Sequence, residues 1–248
     1  MNIGLCIRIV GLLLMLFSLG TLPSMVLGWV QEDGTAEVFG QAFAATAISG
    51  VVLSLLTQRV NTELQIRDGF LVTAAFWIVL SLYGSLPFLL SDAIEVSVFG
   101  AIFESVSGLT TTGATVLAGL DTLPESILFY RQLLQWLGGI GIIVLAVAVL
   151  PMLGIGGVQL YRAESTGPAK DSKLTPRITS TAKALFSIYL GLTIACAAAY
   201  YLAGMSAFDA ISHAFSTIAI GGFSTHDASM GYFQSDVILL IACLFMLI

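Results

Sequence analysis

Charge is what this sequence has least of. Asp, Glu, Lys and Arg together make up 10% of the chain, whereas a water-exposed globular domain carries about a quarter. A soluble fold is thereby excluded. Basic residues are scarcer still: nine Lys and Arg against fifteen Asp and Glu give a net charge of −6 and a sequence pI of about 4.7. That balance excludes nucleic-acid binding as a main activity. Cys6, Cys196 and Cys243 are too few and too scattered for a disulfide framework or a metal centre. Each sits in an apolar run and reads as a small buried hydrophobe. Histidine occurs twice. His226-Asp227 resembles a fragment of a catalytic pair, but no suitably placed nucleophile or metal ligand accompanies it, and it reads as a solvated loop. A convincing signal-peptide cleavage site is also missing. The apolar run after Arg8 continues to about Val30 and reads as a retained transmembrane helix.

What the chain has in quantity is apolar length: 57% of it is hydrophobic and its mean hydropathy is +0.98. Crossing the hydrocarbon takes about 20 apolar residues as helix, and residues 9–30, 39–56, 70–90, 127–153 and 183–203 qualify. A last run, 237–248, is apolar but shorter than the roughly 17 residues a span needs. The expectation is the N-terminal part of a longer protein. Two further stretches, 98–109 and 208–218, are helical in pattern and too short to span. Each leads into a polar or glycine-rich segment, 110–115 and 221–225, which makes them candidates for re-entrant helices.

Charge placement tests this topology. Place the N-terminus in the cytoplasm and let both short segments return to the side they enter. Arg8, Arg59, Arg67, Arg162, Lys170, Lys173, Arg177 and Lys183 then fall inside, and Arg131 is the one basic residue outside. The positive-inside rule is met. If 98–115 crossed instead, the basic loop at 154–182 would share a side with Glu32 and Asp33. The re-entrant reading stands.

The organisation repeats. A shift of 109 positions lays Phe99 on Phe208, Ala101 on Ala210, Ile102 on Ile211, Ser107 on Ser216 and Gly113 on Gly222. Around each short helix lies a spanning helix before and an apolar helix after, with both units entering from the basic side. Parallel repeats imply rotation about the membrane normal, the symmetry of a pore. The expected divisions are 1–69, a transmembrane helix pair with a cytoplasmic loop; 70–153, a first pore unit; 154–182, a cytoplasmic linker; and 183–248, a second pore unit cut within its last helix. The fold class is an all-α integral membrane protein built from helix–pore-helix–filter-loop–helix repeats.

Non-helical backbone at membrane depth survives only where protein buries it or it lines a watery path. A loop such as Thr110-Thr111-Thr112-Gly113-Ala114-Thr115 suits the second case, since its carbonyl oxygens can replace a cation's hydration shell. The short helix before it directs its negative dipole end to the same place. The second loop, Ala219-Ile220-Gly221-Gly222-Phe223-Ser224, has almost no side-chain ligands, so its backbone must act. Backbone-only coordination favours a weakly hydrated monovalent ion over magnesium or calcium. Close packing is the plain alternative for such small residues, and the register of Gly113 with Gly222 weighs against it.

Other residues carry more than one reading. Arg131 either forms an electrostatic barrier, pairs with an acid such as Glu104 or Glu125, or snorkels. Glu104 and His213 occupy matching positions on the two pore helices and either tune the outer field or hold structure by hydrogen bonds. Gly138, Gly139 and Gly141 either bend the helix or allow close packing, and packing is the favoured reading. The 154–182 loop serves topology and anionic lipid, or docks an acidic regulatory partner. Two rival functions remain at this point: an alternating-access transporter using the loops as a midplane site, and an intramembrane enzyme using His213 or His226.

Three segments, ESVSGLTTTGATVL (104–117), FYRQLLQWLGGIGIIVLAVAVLP (129–151) and FSTIAIGGFSTHD (215–227), resemble the Trk/Ktr/HKT superfamily of potassium transporters, and most nearly its bacterial Trk-system uptake proteins of the TrkH/TrkG type. The resemblance covers the whole chain. It implies a transporter and no enzyme, with potassium as the transported ion and no covalent cofactor. It implies four pore units per polypeptide, of which the first and most of the second are present here. The filter carbonyls would be those of Thr110, Thr111, Thr112 and Gly113, and of Ala219, Ile220, Gly221 and Gly222. Glycine at the position of Gly113 goes with potassium preference in that superfamily, and serine there with sodium permeation. The resemblance further implies a homodimer, a cytoplasmic nucleotide-binding regulatory subunit of the TrkA type, and a place in the bacterial inner membrane.

Overall fold

The computed structural model describes residues 2–58, 66–149 and 171–247, with the side chains of 66–67, 142–149 and 171–180 outside that description. Among the described residues every regular element is helical. The first membrane run is helix α1 (Ile3–Ser18), a 3₁₀ turn at Leu19–Thr21, and helix α2 (Leu22–Gln31). Pro23 lies in the first turn of α2, where an N–H would have no helical partner anyway. Helix α3 (Ala36–Leu56) returns along α1. Their backbones nearly touch: a Cβ on Gly11 would lie 2.8 Å from the Gly50 carbonyl oxygen. Small residues at the crossing permit that approach.

The helix expected over 70–90 is two: α4 (Ile66–Gly84) and α5 (Leu86–Leu90), broken at Ser85 just before Pro87. Proline has no N–H for the helical ladder, so the break falls where the chain chemistry puts it. Helix α6 (Val98–Leu109) is the first short helix and α7 (Glu125–Val149) the long helix after its loop. Helix α8 (Asp171–Leu202) begins well before Lys183, inside the stretch expected as a linker. Helices α9 (Ala207–Ile218) and α10 (Asp236–Leu247) follow. Residues 59–65 and 150–170, which carry Arg59, Arg162 and Lys170, lie outside the described residues, as does Ile248. Among the described residues, four helical runs are long and apolar enough to cross a membrane: Ile3–Gln31, Ala36–Leu56, Asp68–Leu90 and Thr181–Leu202.

Helix α7 is the hub. It packs against α2, α6, α8 and α9, and its glycines are where neighbours come close. A Cβ on Gly138 would overlap the Leu109 carbonyl at the end of α6, and one on Gly141 would sit 3.0 Å from the Phe76 ring. The packing reading of these glycines holds. Leu14, Phe17, Phe39, Phe88, Tyr130 and Leu134 form one buried cluster around α7, and Cys196, Tyr200, Ala214 and Ile238 a second around α8 and α9. Cys6 and Cys196 are buried as expected, whereas Cys243 is exposed on α10.

The turn between α2 and α3 docks on the start of α7. Ser126 Oγ donates to Asp33 Oδ2 at 2.6 Å, and the Thr35 N–H donates to Asp33 Oδ1 at 2.9 Å. Burial alone would raise the Asp33 carboxyl, but these hydrogen bonds to its charged form outweigh it and hold the group below its ordinary value.

Candidate functional site

The two short helices are built alike from cap to cap. Ser97 caps α6 by accepting from the Gly100 N–H at 3.1 Å, and Ser206 caps α9 by accepting from the Asp209 N–H at 3.0 Å. At the other end, Thr111 N–H donates to Gly108 O at 3.0 Å and Thr112 N–H to Ser107 O at 2.9 Å. One repeat later, Ile220 N–H donates to Thr217 O at 3.0 Å and Gly221 N–H to Ser216 O at 2.8 Å. This is the Schellman closure, which turns the residue after the cap left-handed. Thr111 has φ +54° and Ile220 φ +52°. Both are β-branched, so each conformation is strained by about 1–3 kcal/mol, a cost that surrounding structure must offset. Two residues further on, Gly113 (φ +75°) and Gly222 (φ +87°) are left-handed again, at no side-chain penalty.

The consequence for polar groups is direct. The first N–H groups of each loop turn back into their own helix. Among the described residues, no carbonyl of 110–113 or 219–222 accepts a hydrogen bond. The Thr110 hydroxyl is already engaged, donating to Val106 O at 2.7 Å. What each loop presents is therefore backbone oxygen. The two loops also meet: a Cβ on Gly113 would overlap the Gly221 carbonyl oxygen and lie 3.2 Å from the Gly222 Cα.

Each loop is held from behind by its own short helix. Thr115 Oγ1 donates to Glu104 Oε1 at 2.9 Å, and the Val116 N–H donates to Glu104 Oε2 at 3.1 Å. In the second unit His213 Nε2 lies 2.9 Å from Ser224 Oγ. Glu104 and His213, like Thr115 and Ser224, are one repeat apart, so the strut is preserved while its chemistry changes. Both residues make the hydrogen bonds that the structural reading expects.

A family model for TrkH, described as a cation transport protein, matches residues 35–248. The chain belongs to the TrkH family. It is 57% identical to the Trk system potassium uptake protein TrkH of Halomonas elongata, over 100% of this chain and 52% of that protein. It is 61% identical to the protein of the same name in Vibrio parahaemolyticus, over 98% of this chain and 50% of that one. The crystal structure of the potassium transporter TrkH from Vibrio parahaemolyticus superposes with a TM-score of 0.87 at 56% identity, covering 99% of this chain and 49% of that chain. The chain thus spans about half the length of the curated relatives it matches.

In this TrkH-family chain Arg131 is fully buried and does not snorkel. Its Nε donates to Glu104 Oε1 at 2.7 Å, Nη1 to the Ser224 carbonyl at 3.0 Å and Nη2 to Thr115 Oγ1 at 3.1 Å. The guanidinium also lies 4.3 Å from the centroid of the Phe223 ring. Of the two acids considered as partners, Glu104 takes it; Glu125 instead accepts from Gln31 at the surface.

His226 departs from the expected solvated loop. Its ring stacks on Tyr232 with centroids 3.5 Å apart, and Nδ1 bonds the Asp121 carboxylate. Nε2 lies 3.3 Å from Asp209 Oδ1, without hydrogen-bond alignment. The hydrogen bond from His226 holds the exposed Asp121 carboxyl below its ordinary value. Asp227 Oδ1 accepts from the Gly119 N–H at 3.0 Å. The segments following the two loops are thereby cross-tied. Sequence reading missed this tie, although the i, i+4 spacing of Asp209 and His213 on one helix face was a signal for a polar cluster.

Proposed function

We propose that the loops at 110–113 and 219–222 form two sectors of a potassium filter, and that the TrkH-family protein containing this chain takes up potassium through it. The observation that carries the reading is the matched pair of loops. Each has left-handed residues at alternate positions, carbonyls without hydrogen bonds, and a contact with the other at Gly113 and Gly221. Backbone oxygens in such a setting replace water around a partly dehydrated cation. The C-terminal ends of α6 and α9 lead into the loops and add negative potential there. The loops contain no carboxylate, which favours potassium over a divalent ion.

Two further units would complete the ring, as the length of the relatives allows. The distribution of basic residues supports a cytoplasmic N-terminus, and the family resemblance supports an inner-membrane location. The relatives' name, a Trk system protein, supports a multi-component assembly. We place in it a second copy of the protein and a nucleotide-binding regulatory subunit of the TrkA type, which would dock on the basic stretch 154–182.

The test is Gly113→Ser in the intact transporter, expressed in bacteria lacking their own potassium uptake. Serine needs a Cβ where the Gly221 carbonyl stands, so the loops must part and the ratio of potassium to sodium uptake should fall. An unchanged ratio refutes the filter. Single-channel recording separates the pore from an alternating-access carrier: unitary currents far above carrier turnover are expected.

A further inference from the structure

The polar residues that α7 sends toward the second loop have no counterpart one repeat on. Arg131 falls on Leu240 and Gln135 on Leu244, and both leucines are exposed on α10. Arg131 and Gln135 stand one turn apart on the same face of α7, and both are fully buried. The long helix of the first unit therefore reaches across to the loop of the second.

What it grips there matters. Gln135 Oε1 accepts a hydrogen bond from the Phe223 N–H at 3.2 Å. That N–H belongs to the same peptide group as the Gly222 carbonyl. The peptide is planar and trans, so its N–H and C=O point in opposite directions. Holding the Phe223 N–H against α7 turns the Gly222 oxygen away from α7. Gly222 alone would not fix that orientation, because glycine rotates between wells freely. Gln135 is also pressed against the loop, since a Cβ on Gly221 would overlap its amide group. Arg131 secures the next part of the loop, through the Ser224 carbonyl and the Phe223 ring, and anchors it to Glu104 and Thr115 of the first unit.

We infer that Gln135, braced by Arg131, is the positioning residue that aims the Gly222 carbonyl into the ion path, so that the first unit sets the ion preference of the second unit's loop. This rests on the filter reading proposed above. A merely structural Gln135 would affect how much protein reaches the membrane, and not which ion the protein prefers.

The experiment compares Gln135→Leu with Gln135→Glu in the intact transporter, reading potassium uptake against competing sodium, normalised to transporter in the membrane. Leucine removes the acceptor. The preference should fall by about fivefold, the factor that corresponds to one net hydrogen bond. Glutamate keeps an acceptor oxygen and should restore the preference. Arg131→Lys supplies a second route: it retains the charge facing Glu104 but lacks the fork that reaches Ser224, and should shift the ratio in the same direction. A wild-type ratio in Q135L or R131K overturns the inference, as does an equal loss in Q135L and Q135E. Gly113→Ser is run alongside. If it changes the ratio and Q135L does not, the positioning role fails while the filter stands; if G113S leaves the ratio unchanged, the filter itself fails.

Discussion

Glu104→Gln removes one charge from a pair that has no access to water. The Arg131 and Glu104 side chains are 1% and 0% exposed, with Nε 2.7 Å from Oε1. Glutamine keeps the shape, and its amide oxygen can still accept from Arg131 and Thr115. Its NH2 cannot accept from the Val116 N–H as Glu104 Oε2 does; beyond that one bond the change is electrostatic. What changes is that the guanidinium loses its counter-charge. Two unit charges about 4 Å apart attract by about 4 kcal/mol at an effective dielectric near 20. Deleting one partner of a buried pair costs about 3–5 kcal/mol in measured cases. The two routes agree in order of magnitude, so E104Q should lower the stability of the detergent-solubilised transporter by about 3–5 kcal/mol. Removing both charges in E104Q/R131M should cost less than the sum of the single changes, because no buried ion is then left alone. The assay is thermal denaturation followed by size-exclusion chromatography, at fixed detergent and protein concentration. A loss under about 1 kcal/mol for E104Q, or additive single effects, would show that the pair is screened and would refute the buried clamp.

Further expectations concern backbone geometry and acid. Gly113→Ala and Gly222→Ala impose similar left-handed strain, about 1–2 kcal/mol. A Cβ on Gly222 would meet only the Gly113 Cα, in ordinary contact at 3.9 Å, whereas one on Gly113 would overlap the Gly221 carbonyl. G113A should therefore impair potassium uptake much more than G222A; equal effects would mean the loops do not touch. Asp33 has a depressed pKa when folded, so its hydrogen bonds stabilise the protein above the unfolded carboxylate value, near 3.9, and that contribution is lost as pH falls through the folded value. Asp33→Asn should lower thermal stability at pH 7 and converge with the parent in strong acid; a gap that persists in acid would assign the effect to something other than the carboxylate.

Much of the architecture was legible because it is written locally. Both short helices end where their apolar patterns end, at Leu109 and Ile218, and the repeat placed their loops in register. The Schellman turns were hidden because Thr111 and Ile220 occupy positions where glycine is the usual marker. The onset of α8 at Asp171 escaped because apolar windows are blind to a polar helical extension. Arg131 was visible as an outlier. Its choice of Glu104 over Glu125, and its bond to Ser224 across the repeat, depend on which helices pack together. Gln135 carried no signal at all; only its distance from the Phe223 N–H gives it a role. His226 was read as solvated because nothing in the chain places Asp121 and Tyr232 around it.

The most direct measurement is anomalous diffraction from crystals of the intact transporter soaked in rubidium, a potassium surrogate with a usable absorption edge. Rubidium density is expected on a line flanked by the carbonyls of Thr110, Thr111, Thr112 and Gly113 on one side and of Ala219, Ile220, Gly221 and Gly222 on another. Density elsewhere with none between these loops, or loops turned toward lipid, would contradict it.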